Sequence, residues 1–335
     1  MPLIDLDTFS GPENFAYFIS TPTDASAERI VQGLPTILLI HPGYVSSAIF
    51  HPIFSDPRLR RFNLVAMDIR GHGWTSAKVE NRFNRELAAT DILKLMEALD
   101  ISVCHFMGVS MGASIAAQVS VLAPEKVLSM FLLSPLPLVE PPESVEGRQE
   151  IYECWKEAFR NDDGIDHTAV GDALHGGLQL AYNNMETPLI KAMTSVAVEA
   201  ALRNWSGDKV EAMHTVTVKF VLARAQHPPS ALARVRCPVL LVHCSEDIVY
   251  PPSHAEELLK HLRSVKINAR LCTLEGAPHF GNATHPNETN TLLYDFVIAN
   301  CVEADLPPAP AGVQSPFLAE LAASGLLEDD SDYED

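Results

Sequence analysis

Gly108-Val109-Ser110-Met111-Gly112 directly follows an apolar run, Val103–Met107, and opens a small-residue stretch, Ala113–Val121, that reads as a helix. A serine held at a sharp strand-to-helix turn sits on a strained backbone, so glycine is needed two positions before it and two after. The turn projects the hydroxyl into a cleft, and the helix N-terminus favours negative charge developing beside it. The chemistry this implies is attack by Ser110 on an acyl carbon. A serine in an ordinary tight turn is the bland alternative, and the strand before and helix after argue against it.

A neutral hydroxyl is a poor nucleophile and needs a base to take its proton. Thirteen histidines compete for that role. His279 lies in the loop Glu275-Gly276-Ala277-Pro278-His279-Phe280-Gly281, after the strand-like run Ala269–Leu274 and before a terminal helix, Asn290–Ala299. A base on such a late loop can reach the nucleophile without being buried in a helix. His285 is close in sequence but polar-flanked, while His105 and His243 fall inside strands, where packed core histidines are expected. His41 and His72 fall in loops with other duties.

The base in turn needs a carboxylate to fix its tautomer and steady the imidazolium. Asp247 sits just past the strand Val239–Cys244. Glu246 is its nearest rival, and Glu140, beyond the strand Leu128–Leu133, occupies the other place where a third member can sit. The chain order Ser, Asp, His is the one known for nucleophile-elbow enzymes. An oxyanion would need two backbone N–H groups. Met111, the residue after the nucleophile, supplies one; Gly43, in His41-Pro42-Gly43-Tyr44, is the best second donor and Tyr44 the next, since Pro42 has no N–H. His41 is expected to brace this loop.

Positioning these groups takes a particular scaffold. Thr36–Ile40, Leu64–Met67, Val103–Met107, Leu128–Leu133, Val239–Cys244 and Ala269–Leu274 are nearly continuous apolar runs, as in parallel strands covered on both faces. Helical patterns alternate with them; in Asn84–Leu99, for instance, Leu87, Asp91, Ile92, Leu95, Met96 and Leu99 form one mostly apolar stripe. The expectation is an α/β fold with a doubly wound, mostly parallel sheet. The alternation breaks between about residues 136 and 232, where helices over Val145–Arg160, Pro188–Asn204 and Asp208–Ala225 are predicted and strand runs are missing. The reading is a core in two parts, 1–135 and 233–303, with 136–232 as a helical lid over the carboxyl edge of the sheet. A separate helical domain fits less well because strands resume at once at Val239. From about Ala304 the chain is proline-rich and then acidic, so 304–335 is expected to be largely disordered, with Phe317–Leu327 able to form a short helix.

Taken together, these motifs resemble the α/β-hydrolase family, of the lidded, single-domain serine hydrolase and esterase type, over roughly Thr36–Ser134 and Val239–Ala299. Asp68-Ile69-Arg70-Gly71-His72-Gly73-Trp74-Thr75 is similar to that family's loop after the third core strand, and no catalytic duty is implied for it. The chain departs from the family at Val109 and Ala113, where His and Gly are frequent, and at Pro42, inserted into a loop that usually reads His-Gly. The resemblance implies the α/β-hydrolase fold and cleavage of a carboxylic ester or lactone of a small-to-medium apolar substrate, through a Ser-His-Asp triad and an acyl-enzyme. C–C bond hydrolysis, perhydrolysis, acyl transfer on the same triad, and a receptor-like ligand-binding role are the alternatives. Epoxide hydrolase and dehalogenase chemistry is disfavoured, because those relatives need an aspartate at the position of Ser110.

Bulk properties set the remaining limits. The 335 residues carry a formal charge of −19, but residues 1–270 hold 31 acids against 24 bases and only the last stretch is uniformly acidic. That balance argues against nucleic acid and anionic membrane surfaces as partners. No apolar run reaches the ~18–20 residues that span a bilayer, and the early acids of Met1–Asp7 do not fit a secretory signal, so a cytoplasmic enzyme is expected. Six cysteines without paired spacing read as reduced thiols. No metal motif, phosphate loop or dinucleotide fingerprint is present, and no cofactor is expected. Tyr44, Phe50, Trp74, Trp155 and Trp205 are possible pocket-lining aromatics.

Overall fold

The computed structural model describes residues 2–160, 164–301 and 306–326. Eight strands form one sheet: β1 (Leu3–Thr8), β2 (Gly11–Ser20), β3 (Thr36–Ile40), β4 (Asn63–Met67), β5 (Cys104–Val109), β6 (Val127–Leu133), β7 (Val239–Cys244) and β8 (Ala269–Leu274), in the order β1-β2-β4-β3-β5-β6-β7-β8. From β4 to β8 every pair is parallel, while β2 runs antiparallel to both β1 and β4. The period of two explains the unbroken apolar runs. Along β3, Leu38 and Ile40 enter the core on one side of the sheet and Ile37 and Leu39 the core on the other.

Helices cover both faces: α1 (Arg85–Ala98), α2 (Met111–Leu122), α3 (Pro142–Glu157), α4 (His167–Tyr182), α5 (Pro188–Trp205), α6 (Val210–His214), α7 (Pro252–Ser264), α8 (Pro286–Ile298) and α9 (Leu318–Ala323). Their starts follow local chemistry. The Asn84 side chain accepts from the amides of Glu86 and Leu87, and Thr187 caps α5 ahead of Pro188, each such cap contributing roughly 1 kcal/mol. Between β6 and β7 the chain is helical, α3 to α6, and continues through a π-helical turn, Thr215–Lys219. Among the described residues no helix is long and apolar enough to cross a membrane. All six cysteines are unpaired.

Three expectations need correction or completion. The expected strands began at Thr36–Ile40, but β1 and β2 precede it as an antiparallel hairpin at one end of the sheet. In β1 only Leu6 is buried and Asp5 and Asp7 face out, so no apolar run marks it. Helix α4 falls within the stretch read as helical, but its own bounds went unmarked because Gly171, Gly176 and Gly177 weaken the pattern. A Cβ on Gly176 would lie 2.8 Å from Ile151, so that glycine allows α3 and α4 to approach closely. Finally, residues 306–326 are ordered, and the short helix expected within Phe317–Leu327 is α9. Phe317 packs 4.5 Å from Phe18 and 5.3 Å from Phe54, Leu321 is fully buried, and Arg60 and Arg61 donate to the carbonyls of Gln314 and Pro307. A few anchors in a polar segment suffice once its carbonyls have donors; burying one phenylalanine alone contributes about 2 kcal/mol. The acidic stretch 327–335 lies outside the described residues.

Candidate active site

The carboxyl ends of β5, β7 and β8 bring three side chains together. Ser110 has φ 52° and ψ −111°, outside the region open to ordinary residues, and its amide donates to the Leu133 carbonyl at 2.9 Å. The flanking glycines are obligatory. A Cβ on Gly108 would stand 2.4 Å from the Gly112 carbonyl oxygen, and one on Gly112 would stand 2.0 Å from that of Ile40.

Ser110 Oγ is 2.8 Å from His279 Nε2, and His279 Nδ1 is 2.6 Å from Asp247 Oδ2. A carboxylate only accepts, so Nδ1 carries the hydrogen and Nε2 is left to receive the serine proton. The other Asp247 oxygen accepts from the amides of Val249 (2.9 Å) and Tyr250 (3.0 Å). Burial opposes the Asp247 charge, but the His279 ring and these two amides outweigh it and hold the carboxyl below the usual carboxylate range. All three side chains are buried.

The loops after β7 and β8 are laced together by Glu246 N–H to the Ala277 carbonyl (2.9 Å) and Gly276 N–H to Ser245 Oγ (2.8 Å). Ser134, at the end of β6 with φ 45°, donates from Oγ to the His279 carbonyl at 2.6 Å. The sequence reading missed Ser134; its only signal was a polar residue closing an apolar strand at the same sheet edge.

The rivals are placed elsewhere. Glu246 faces solvent. Glu140 meets two guanidinium groups, Arg224 Nη2 at 3.0 Å and Arg148 Nε at 3.7 Å. His285 bonds Thr284, and His105 bonds Ser129 inside the sheet. His243 is buried in β7 with its Nε2 unpartnered. His175 is exposed on α4.

Met111 begins α2, where amides have no partner within the helix. Gly43 and Tyr44 line the same pocket as Ser110 and Met111. Their loop is braced from below. His41 donates from Nδ1 to the Pro42 carbonyl (2.7 Å) and accepts at Nε2 from the Ile69 amide (2.9 Å), and burial pushes its pKa down to about 4. Asp68 accepts from the amides of Ser47 (2.8 Å) and Trp74 (2.9 Å), tying this loop to Asp68–Thr75. Arg70, in that second loop, is fully buried and forks onto both oxygens of Asp91.

The Ser110 pocket shares Tyr44 and Phe280 with a neighbouring apolar chamber bounded by Trp155, Leu174, Ala197 and Trp205 of the segment between β6 and β7. Of the five expected pocket aromatics, Tyr44, Trp155 and Trp205 line this chamber. Phe50 lies in the core, and Trp74 faces out against Arg203 and Glu320 instead.

Residues 35–286 match the family model described as alpha/beta hydrolase fold. The chain belongs to that family. It is 26% identical over 282 residues to serine hydrolase BPHL of Mus musculus, covering 81% of each chain. It is also 34% identical over 106 residues to the dihydrolipoyllysine-residue acetyltransferase component of the acetoin cleaving system of Cupriavidus necator, of which it spans 27%. A thermophilic esterase from Thermogutta terrifontis shares the fold, with a TM-score of 0.69 at 14% identity over 90% of this chain and 100% of that one. As an α/β-hydrolase family member with hydrolases among its relatives, the chain is assigned to hydrolytic chemistry in general.

Proposed function

We propose that the protein is a serine esterase or lactonase. Ser110 Oγ attacks the carbonyl carbon while His279 Nε2 takes its proton, and the tetrahedral oxyanion is held by the amides of Met111 and of Gly43 or Tyr44. Collapse breaks the bond to the leaving oxygen, which receives the proton from His279, and leaves an acyl group on Ser110. Water, deprotonated by His279, then releases the acid and restores the serine. Asp247 keeps the imidazole in the tautomer with hydrogen on Nδ1 and offsets its positive charge.

One observation carries this reading: the hydrogen-bond chain from Ser110 Oγ to His279 to Asp247, formed between residues 169 and 32 positions apart. The apolar chamber supports an apolar acyl or alkoxy group as the occupant. Residues 136–232, which contribute most of its wall, then act as a lid that selects substrate and excludes water.

The test is reaction with a fluorophosphonate probe, together with turnover of p-nitrophenyl esters of graded acyl length beside simple lactones. Wild type should label and turn over, and Ser110→Ala should do neither while keeping its melting transition. Residual activity within tenfold of wild type would sink the assignment. Stoichiometric binding without turnover in wild type would instead favour a receptor-like role.

A further inference from the structure

Among the residues lining the Ser110 pocket, Arg148 is the one that carries a formal charge; its neighbours there include Leu136, Leu180, Val216 and Phe280. It reaches the pocket from α3 and is only 4% exposed. Burying a guanidinium costs several kcal/mol unless partners compensate. Here the partners are one shared carboxylate and a tyrosine hydroxyl. Nη2 donates to the Tyr250 hydroxyl at 3.1 Å, and that hydroxyl donates to Glu140. Glu140 is shared with Arg224, so two guanidinium groups face one carboxylate. Asp247 accepts from His279, Val249 and Tyr250, and among the described residues it makes no ion pair with Arg148.

Two buried donors make no hydrogen bond. The Tyr44 hydroxyl has no partner, Arg148 Nε has only the long 3.7 Å ion-pair contact with Glu140, and the Arg148 guanidinium lies 5.9 Å from the centre of the Tyr44 ring. Buried donors normally have acceptors, and an orphaned pair beside a nucleophile points to an acceptor that arrives with the substrate. We propose that Arg148 and the Tyr44 hydroxyl form a carboxylate-binding subsite beside Ser110, so that the preferred substrate is an ester or lactone bearing its own acid group. The proposal rests on Ser110 being the nucleophile. It calls for a single carboxylate near the scissile bond, with the apolar remainder in the Trp155 and Trp205 chamber. The surplus of one positive charge in the Arg148–Glu140–Arg224 cluster matches one such anion, and guanidinium is the group suited to planar carboxylates.

The experiment compares p-nitrophenyl half-esters of succinate, glutarate and adipate with their methyl-capped, neutral counterparts, using the full chain. Wild type should prefer the acid form by at least about tenfold in kcat/KM at one chain length or more. In Arg148→Met that acid-to-neutral ratio should fall about a hundredfold, mainly through KM, as expected for losing a buried charge-assisted contact. Arg148→Lys should fall in between, and Tyr44→Phe should lower the ratio several-fold. Glutarate should bind the Ser110→Ala protein by calorimetry and fail to bind Ser110→Ala/Arg148→Met.

If Arg148 merely ties α3 to Glu140, its substitution will lower the melting temperature and leave the ratio unchanged, which overturns the subsite. A wild-type ratio below one at every length also overturns it. Should Arg148→Met fail to fold, Arg148→Lys and Tyr44→Phe decide the matter. Glutarate binding to Ser110→Ala requires no turnover, so the subsite and the nucleophile can fail separately.

Discussion

A methyl group added to Gly112 would stand 2.0 Å from the Ile40 carbonyl oxygen; the same methyl on Gly171, in α4, would meet nothing within 4 Å. The two glycines stand for two regions. At the carboxyl edge of the sheet, Ser110 and Ser134 sit at positive φ, His41 and Asp68 bond backbone amides, and the loops after β7 and β8 are laced to each other. The helical segment between β6 and β7 is held mainly by apolar packing, and Gly147, Gly171 and Gly177 there have open space around them. The edge fixes Ser110, His279 and Asp247 relative to one another; the helical segment, apart from the buried Glu140, Arg148 and Arg224 cluster, mostly fills volume and forms an apolar wall. Substitutions should therefore be costly at the edge and graded in the helices.

The sharpest way to break this contrast is Gly112→Ala. The clash is with backbone, which cannot rotate away, so α2 and Ser110 must shift. Misplacing reacting atoms by about 1 Å costs on the order of a hundredfold, and here the amide of Met111 moves as well. Loss of activity should reach about a thousandfold. A variant within tenfold of wild type would mean that the edge is far softer than described.

Next in size is Asp247→Asn against Glu246→Gln. The first removes the acceptor that sets the His279 tautomer and should lower kcat by a hundredfold or more, on the order seen for such triads. The second changes a solvent-facing group and should leave kcat within about twofold. Equal effects from the two would show that the neighbouring acids are interchangeable and the pairing unimportant.

The edge should also show a signature in acid. Burial pushes His41 down to about 4, from the ordinary imidazole value of 6.5. Between those two values the unfolded chain binds the proton and the folded one does not, so this histidine lowers stability as pH falls from about 6.5 toward 4. The expected loss is about 3 kcal/mol at the low end. His41→Asn removes the titrating group, and its melting temperature should fall less steeply with pH over that window than wild type. Parallel slopes would show that His41 does not remain neutral in the fold.

The smallest expected effect lies in the helices. Gly171→Ala, with open space at its Cβ, should stabilise α4 by roughly 0.5–1 kcal/mol through helix propensity alone. It should leave kcat/KM unchanged on every ester. Destabilisation would indicate a packing constraint on α4 that its open geometry does not reveal.

Sequence reading succeeded where a signal is confined to a few adjacent residues. All six expected strands are present to within a residue or two, since a parallel strand covered on both faces needs a continuous apolar run. It failed where structure comes from distant contacts. β1 is a half-exposed edge strand, β2 was missed although Phe15–Ile19 is an apolar run, α4 contains three glycines, and residues 306–326 are ordered by Phe317 and Leu321 sinking into the core and by arginines of another segment. Arg148 stayed hidden too: in Gly147-Arg148-Gln149-Glu150 it reads as one more surface charge on an amphipathic helix.

What the sequence by itself determined is the local chemistry. Gly108 to Gly112 dictate a strained turn, because only glycine leaves room for the backbone to double back there, and a serine at its apex is thereby presented. Which acid pairs with His279 was decided by the tertiary structure. Asp247, Glu246 and Glu140 all follow strands that end at the same edge, so the sequence favours Asp247 by its place after β7 but leaves Glu246 and Glu140 as rivals. The order β6-β7-β8 and the direction of the Ser245–Tyr250 turn aim Asp247 at His279, leave Glu246 in solvent and hand Glu140 to Arg148 and Arg224. Partner choice between side chains far apart in sequence depends on which strands become neighbours and on which way each loop turns. Both are set by burial across the whole sheet, and no short window of residues contains them.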